Sequence, residues 1–177
     1  GFVRSPKVSL RREGPIFVDG RPIDPTDAVA EVLRHLKDDA ALARGQAPGQ
    51  DIGRAVFTIP VDFGGPERRS LREAARKAGL GVVQFVHEPV AALYAYLRSK
   101  TDLSRELARL EGRSVLVFDW GGGTLDLTLC KIQGGSIMQI ANLGDNEVGG
   151  DRFDERVRNL LRTKHAAAHG IDDITAL

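Results

Sequence analysis

The stretch FDWGGGTLDLTL, Phe118 to Leu129, sets three consecutive glycines between two aspartates inside what otherwise reads as strand. Glycine in a strand interior loses conformational entropy and packs no side chain, so a run of three needs a reason. One reason is a hairpin turn joining Val115–Asp119 to Leu125–Leu129, since glycine accepts the positive φ angles of tight turns. The other is an anion site. Successive N–H groups on an unobstructed backbone converge on a phosphate, Thr124 adds a hydroxyl, and Asp119 and Asp126 suit a divalent cation and its waters. A triple glycine alone does not separate the two readings.

The rest of the chain limits the classes available. At 177 residues it suits one ordinary domain or two small ones. Hydrophobic residues at 42% and charged residues at 28% are the balance of a soluble globular protein. A net charge of +1 argues against a nucleic-acid surface built on bulk charge. No apolar run reaches the ~20 residues of a membrane span, and residues 1–10 lack the apolar core of a signal peptide. The single cysteine, Cys130, reads as a small buried hydrophobe. A cytoplasmic setting with neither nucleic acid nor membrane as partner is expected.

Residues 7–21 are basic and broken by Gly14, Pro15 and Gly20, reading as a strand or two with turns. Asp24-Pro25-Thr26-Asp27 is a helix start, with an acceptor at the cap and proline at the first helical position. The helix that follows places Val29, Val32, Leu33, Leu36 and Ala40 on one face. Residues 45–53 read as a loop. Ala55–Pro60 reads as a buried strand closed by proline. Glu67–Ala78 has Leu71, Ala74, Ala75 and Ala78 at helical spacing, with Gly79 as its stop. Val82–Val86 reads as a strand, and Pro89 opens a helix with Val90, Leu93, Tyr94 and Leu97 on one face. Residues 101–112 are more polar and mark a boundary. Beyond it, Val115–Asp119, Leu125–Ile132 and Ser136–Asn142 form a three-strand meander, followed by a helix over 152–164 with Phe153, Val157, Leu160 and Leu161 facing in. The class is α/β.

Several stretches together resemble the ATPase domain of the 70-kilodalton heat-shock chaperone (DnaK-type) family. FDWGGGTLDL looks like its second phosphate motif. HEPVAALYAY (87–96) is similar to the segment opening the helix between its lobes. AVFTIPVDFGGPERRSLREAARKAGL (55–80) resembles its proline-centred strand, loop and helix, and GDNEVGGDRFDERV (144–157) its Gly-Gly turn and helix. RSPKVSL (4–10) is a weaker match, to the segment carrying the catalytic lysine. Order and spacing agree across the four main matches.

The resemblance implies an actin-like ATPase fold, two lobes with ribonuclease-H-like sheets, present as a partial domain. Residues 1–112 would form the later part of the first lobe with the connecting helix, and 113–177 the beginning of the second. It further implies ATP or ADP with Mg2+ in the intact protein, coupled to binding and release of unfolded peptide clients, with cochaperones or exchange factors as partners in stress response and protein folding. The first phosphate motif, the adenosine segment and the peptide-binding domain are not in the chain, so the fragment alone is expected to be inactive. The resemblance is to a bacterial-like member, and Trp120 and the segment Asp62-Phe63-Gly64-Gly65-Pro66, read as departing from the family pattern, suggest a divergent one.

Roles carried over residue by residue follow. Gly121, Gly122 and Gly123 would donate N–H groups to the phosphates, and Thr124 would reach the terminal one. Glu88 and Asp119 would hold the magnesium's water shell or polarise the attacking water, with Asp126 as a second acid and Lys7 as a positive charge. Gly149 and Gly150 would let backbone approach the nucleotide, and Asp151 would cap its helix. Pro60 and Arg68 would relay nucleotide state to the peptide-binding domain, tied by charge to Glu88. His87 reads as a packed strand-end residue. Two rivals remain open: an actin-fold sugar kinase, which the HEPVAALYAY helix start argues against, and a non-catalytic interaction module on the same fold.

Overall fold

The structure, a computed structural model, describes residues 3, 6–11, 14–47, 52–145 and 148–169. Part of the RSPKVSL match, part of the loop over 45–53 and two residues of the GDNEVGGDRFDERV match lie outside these. The chain divides into two compact units, Gly1–Glu88 and Pro89–Leu177.

The first unit begins with α1 (Pro6–Ser9), a single helical turn where the sequence reading expected strand. A small antiparallel hairpin follows, β1 (Ile16–Val18) with β2 (Arg21–Ile23). Helix α2 (Pro25–Ala43) starts as its sequence dictates: the Asp24 carboxylate accepts from the backbone N–H of Thr26 at 2.7 Å and from its hydroxyl at 2.7 Å. The hydroxyl bond and then the N–H bond hold the Asp24 carboxyl below its ordinary 3.8.

Strands β3 (Arg54–Ile59) and β4 (Gly81–His87) pair in parallel, and such a pair needs a crossover. Helix α3 (Gly65–Lys77) supplies it. It ends in a Schellman motif: Leu80 N–H bonds the Ala75 carbonyl at 2.8 Å, Gly79 N–H bonds that of Arg76 at 3.0 Å, and Gly79 takes φ 72°.

Leu71, Ala74, Ala75 and Ala78 are all buried, as their spacing requires, against Val29 and Ala30 of α2 and Phe57 and Ile59 of β3. Ile59 is fully buried, worth about 1.5–3 kcal/mol for a side chain of this size. The face of α2 is rotated from expectation. Val29, Ala30 and Ala41 are buried, with Leu33 packed alongside, whereas Val32, Leu36 and Ala40 are exposed.

In the second unit, α4 (Glu88–Arg98) is followed by α5 (Leu103–Arg109), a helix the sequence reading passed over. Its cap is Asp102, whose carboxylate accepts from Arg105 N–H at 3.1 Å. Strands β5 (Ser114–Trp120), β6 (Leu125–Gln133) and β7 (Ser136–Asp145) form the expected antiparallel meander in the order β5-β6-β7. Leu93 and Leu97 of α4 pack with Cys130 and Ile132 of β6, and Leu103, Leu107 and Leu110 join from the α5 segment. Thus α4 and α5 share the core of the meander, and the compact division falls at Glu88/Pro89. Tyr94, expected on one face with Leu93 and Leu97, is 52% exposed.

Cys130 is buried, and desolvation pushes its thiol above the ordinary value. The other sheet face carries exposed Leu116, Phe118, Trp120 and Leu143. Helix α6 (Gly150–His169) completes the unit; Phe153, Val157, Leu160 and Leu161 are exposed there and not turned inward. Among the described residues no helix is long and apolar enough to cross a membrane.

Candidate functional site

In the second unit the hairpin between β5 and β6 carries the triple glycine. Trp120 pairs with Leu125 across the strands, leaving Gly121–Thr124 as the loop, closed by Gly121 N–H to the Thr124 carbonyl at 2.9 Å. None of the three glycines takes a positive φ. A Cβ on Gly121 or Gly122 would make only ordinary contacts, and one on Gly123 would meet nothing within 4 Å. Neither turn geometry nor packing therefore demands glycine here. What three glycines do provide is a loop with no side chains. On it the N–H groups of Gly122 and Gly123 have no acceptor among the described residues. Gly121, expected as a third donor, spends its N–H on closing the loop.

Asp119 and Asp126 stand directly opposite each other on β5 and β6 and so share a sheet face. Like charges in that arrangement repel, which a fold selected for stability alone would avoid. The Thr124 hydroxyl bonds Asp126 Oδ2 at 3.0 Å, fixing both at the mouth of the loop. The third strand continues the row with Gly144, the register partner of Asp126. An ideal Cβ at Gly144 would lie 2.8 Å from Asp126 Oδ1, so this glycine makes room for the carboxylate. The sequence reading gave Gly144 no role, because its partner is set by register between strands far apart in sequence. Trp120, adjacent to Asp119, alternates to the opposite face and is 59% exposed.

The start of α6 docks on the same loop. Gly150 N–H bonds the Gly121 carbonyl at 3.1 Å, and Asp151 N–H bonds that of Gly122 at 2.7 Å. A Cβ on Gly149 would fall 2.5 Å from the Gly122 carbonyl oxygen and 2.6 Å from the Gly123 carbonyl carbon, both backbone atoms. Gly149 thus serves the approach of one backbone to another, with the glycine loop as the thing approached, whereas a Cβ on Gly150 would make only ordinary contacts there. The Gly149 carbonyl takes the first helical bonds, from Arg152 and Phe153 at 3.1 Å each. Asp151 is accordingly a first-turn acid, favoured by the helix dipole, rather than the cap.

In the first unit Glu88 stands at the end of β4 and pairs with Lys7, Nζ to Oε1 2.5 Å, the two side chains 28% and 48% exposed. Arg68 of α3 donates through Nε to the Phe63 carbonyl at 2.9 Å and lies 3.3 Å from His87 Nε2. Its tie to β4 therefore runs to His87 and not, as expected, by charge to Glu88. Pro60 ends β3, and its carbonyl accepts from Phe63 N–H at 3.2 Å. Among the described residues no group of three or more His, Cys, Asp or Glu could hold a metal directly. A magnesium ion keeps several waters and binds through one or two carboxylates and its nucleotide's phosphates, and such a site is compatible with Asp119 beside a bare loop.

A family model described as Hsp70 protein matches residues 9–176. The chain belongs to the Hsp70 family. Membership gives it the actin-like ATPase fold in an α/β chain, which the small sheets and covering helices fit, and makes it part of a chaperone-type, ATP-binding domain. Hsp70 proteins in general work with ATP or ADP and Mg2+, and with client peptides and cochaperones. Every candidate residue except Lys7 lies inside the matched range.

Proposed function

We propose that this Hsp70 chain supplies the phosphate-binding part of an ATPase domain whose turnover is coupled to binding and release of unfolded peptides. The observation that carries the reading is the loop Gly121–Thr124: three glycines that neither the turn nor the packing requires, with two adjacent N–H groups unspent. Gly122 and Gly123 would donate to phosphate oxygens while Gly121 holds the loop closed, and the Thr124 hydroxyl would reach the terminal phosphate. Asp119 and Glu88 are the carboxylates that would hold the water shell of a magnesium ion, which would supply charge neutralisation at the phosphates. Asp126, held by Thr124 and given room by Gly144, accepts a hydrogen bond from the attacking water. Lys7 places a positive charge beside Glu88.

Residues 1–112 correspond in this reading to the later part of the first lobe and 113–177 to the beginning of the second. The chain by itself holds an incomplete nucleotide site, in a divergent, bacterial-like and cytoplasmic protein. Pro60 and Arg68 carry nucleotide state toward the peptide-binding domain, with His87 as the residue Arg68 meets. Calorimetry with Mg-ATP on this chain, beside a longer chain of the same protein that includes both lobes, tests the proposal. Tight binding by the longer chain, weakened tenfold or more by Thr124→Ala, is expected. Absence of binding by the longer, folded chain would remove the ATPase reading.

A further inference from the structure

The structure places the segment Asp62-Phe63 against the helical turn that carries Lys7. Arg11 Nη2 bonds Asp62 Oδ1 at 2.7 Å, and the Arg11 guanidinium lies 5.3 Å from the centroid of the Phe63 ring. Asp62 is 44% exposed and Arg11 29%, so the pair is only partly screened by water. Phe63 is itself buried, and its carbonyl accepts the Arg68 bond.

Arg11 is rigidly linked to Lys7. Leu10 N–H bonds the Lys7 carbonyl at 3.2 Å, and Arg11 N–H bonds that of Val8 at 3.1 Å, so the turn moves as one piece. Its two ends are therefore pinned at two separate places, Lys7 to Glu88 at the end of β4 and Arg11 to the Asp62-Phe63 loop after β3. Those bonds set the shape of the turn but not where it sits: buried Leu10 anchors it to the core, and the two side-chain ties orient its ends.

We infer that Asp62, acting through Arg11, is a positioning residue for Lys7: it holds the Lys7 turn so that the ammonium meets Glu88. The inference rests on the reading of Lys7 and Glu88 as members of the ATPase site. The loop that anchors Arg11 is also the one whose Phe63 carbonyl receives Arg68.

The test reads the Lys7–Glu88 pair without nucleotide, so it does not depend on ATP binding. The chain is treated with an amine-acylating reagent, and the rate at each lysine is followed by mass spectrometry, with Lys100 and Lys164 as internal references. An amine engaged by a carboxylate is acylated slowly. Glu88→Gln is expected to raise the Lys7 rate, and Asp62→Asn to raise it about two- to fivefold, the range that loss of a partly exposed ion pair allows. The paired exchange Arg11→Asp with Asp62→Arg should bring the rate back toward the parent value, a rescue that general loosening would not give. Circular dichroism confirms that each variant is folded, and Arg11→Gln replaces Asp62→Asn should the latter fail to fold. An unchanged Lys7 rate in folded Asp62→Asn or Arg11→Gln, or in Glu88→Gln, overturns the inference. A chain that shows the Asp62 effect yet, in its longer form, binds no Mg-ATP would keep the positioning role and remove the reaction it was meant to serve.

Discussion

Gly149 and Gly122 meet so closely that the Cβ which Gly149 lacks would stand 2.5 Å from the Gly122 carbonyl oxygen. Backbone on both sides leaves nothing flexible to give way. Gly149→Ala is therefore expected to push the glycine loop off the start of α6 and break the bonds from Gly150 and Asp151. The cost should be about 1–3 kcal/mol, as for other overpacked sites, read as a lower midpoint in denaturant. A midpoint equal to the parent's would show that the two segments do not dock.

Gly123→Ala asks the opposite question. A Cβ there meets nothing within 4 Å and no positive φ opposes it. Stability should change by no more than about 0.5 kcal/mol, the usual range for surface substitutions. Mg-ATP affinity of the longer chain should nevertheless fall about tenfold or more, because the methyl group occupies the surface offered to phosphate. Unaltered affinity would mean that the bare loop is not where phosphate sits.

The pairing of Asp119 with Asp126 sets stability against use. Asp126→Asn removes one of two facing charges while keeping the shape, so the folded chain should gain a few tenths of a kcal/mol, up to about 1. ATP turnover by the longer chain should drop about a hundredfold if the carboxylate orients the attacking water. A loss of stability with full turnover would reverse both assignments.

Asp24 gives a pH signature of folding that is independent of nucleotide. Its carboxyl lies below 3.8 in the folded chain, so the unfolded chain binds that proton first as acid is added. The capping contribution is thus complete above about pH 4 and fades as pH falls through the lowered folded value. Asp24→Ala should cost about 0.5–2 kcal/mol near neutrality, and the gap between variant and parent should close in acid. A gap that persists undiminished in strong acid would rule out the carboxylate cap.

Much of this was legible where the signal is local. The cap at Asp24, the Leu71-Ala74-Ala75-Ala78 stripe with its Gly79 stop, and the meander order follow from neighbouring residues alone. The α5 helix carries a readable cap in Asp102 and a Leu103, Leu107, Leu110 stripe, but its seven residues are short enough to pass for a polar loop. Periodicity states which residues share a face, not whether anything covers that face. Hence Val32, Leu36 and the apolar stripe of α6 emerge exposed.

Within the site, the residue types around the glycines were readable, while their mutual contacts were not. That Gly149 serves the loop, that Gly144 serves Asp126 and that Arg11 meets Asp62 depend on register and on turns distant in sequence.

The most direct measurement of the central claim is an amide NMR titration of this chain with Mg-ADP, which detects even weak binding. The account predicts that the N–H signals of Gly122, Gly123 and Thr124 shift together and saturate, that Gly121, whose N–H closes the loop, shifts less, and that Thr124→Ala abolishes the response. Saturating shifts elsewhere on the folded chain, with these amides unmoved, would contradict it.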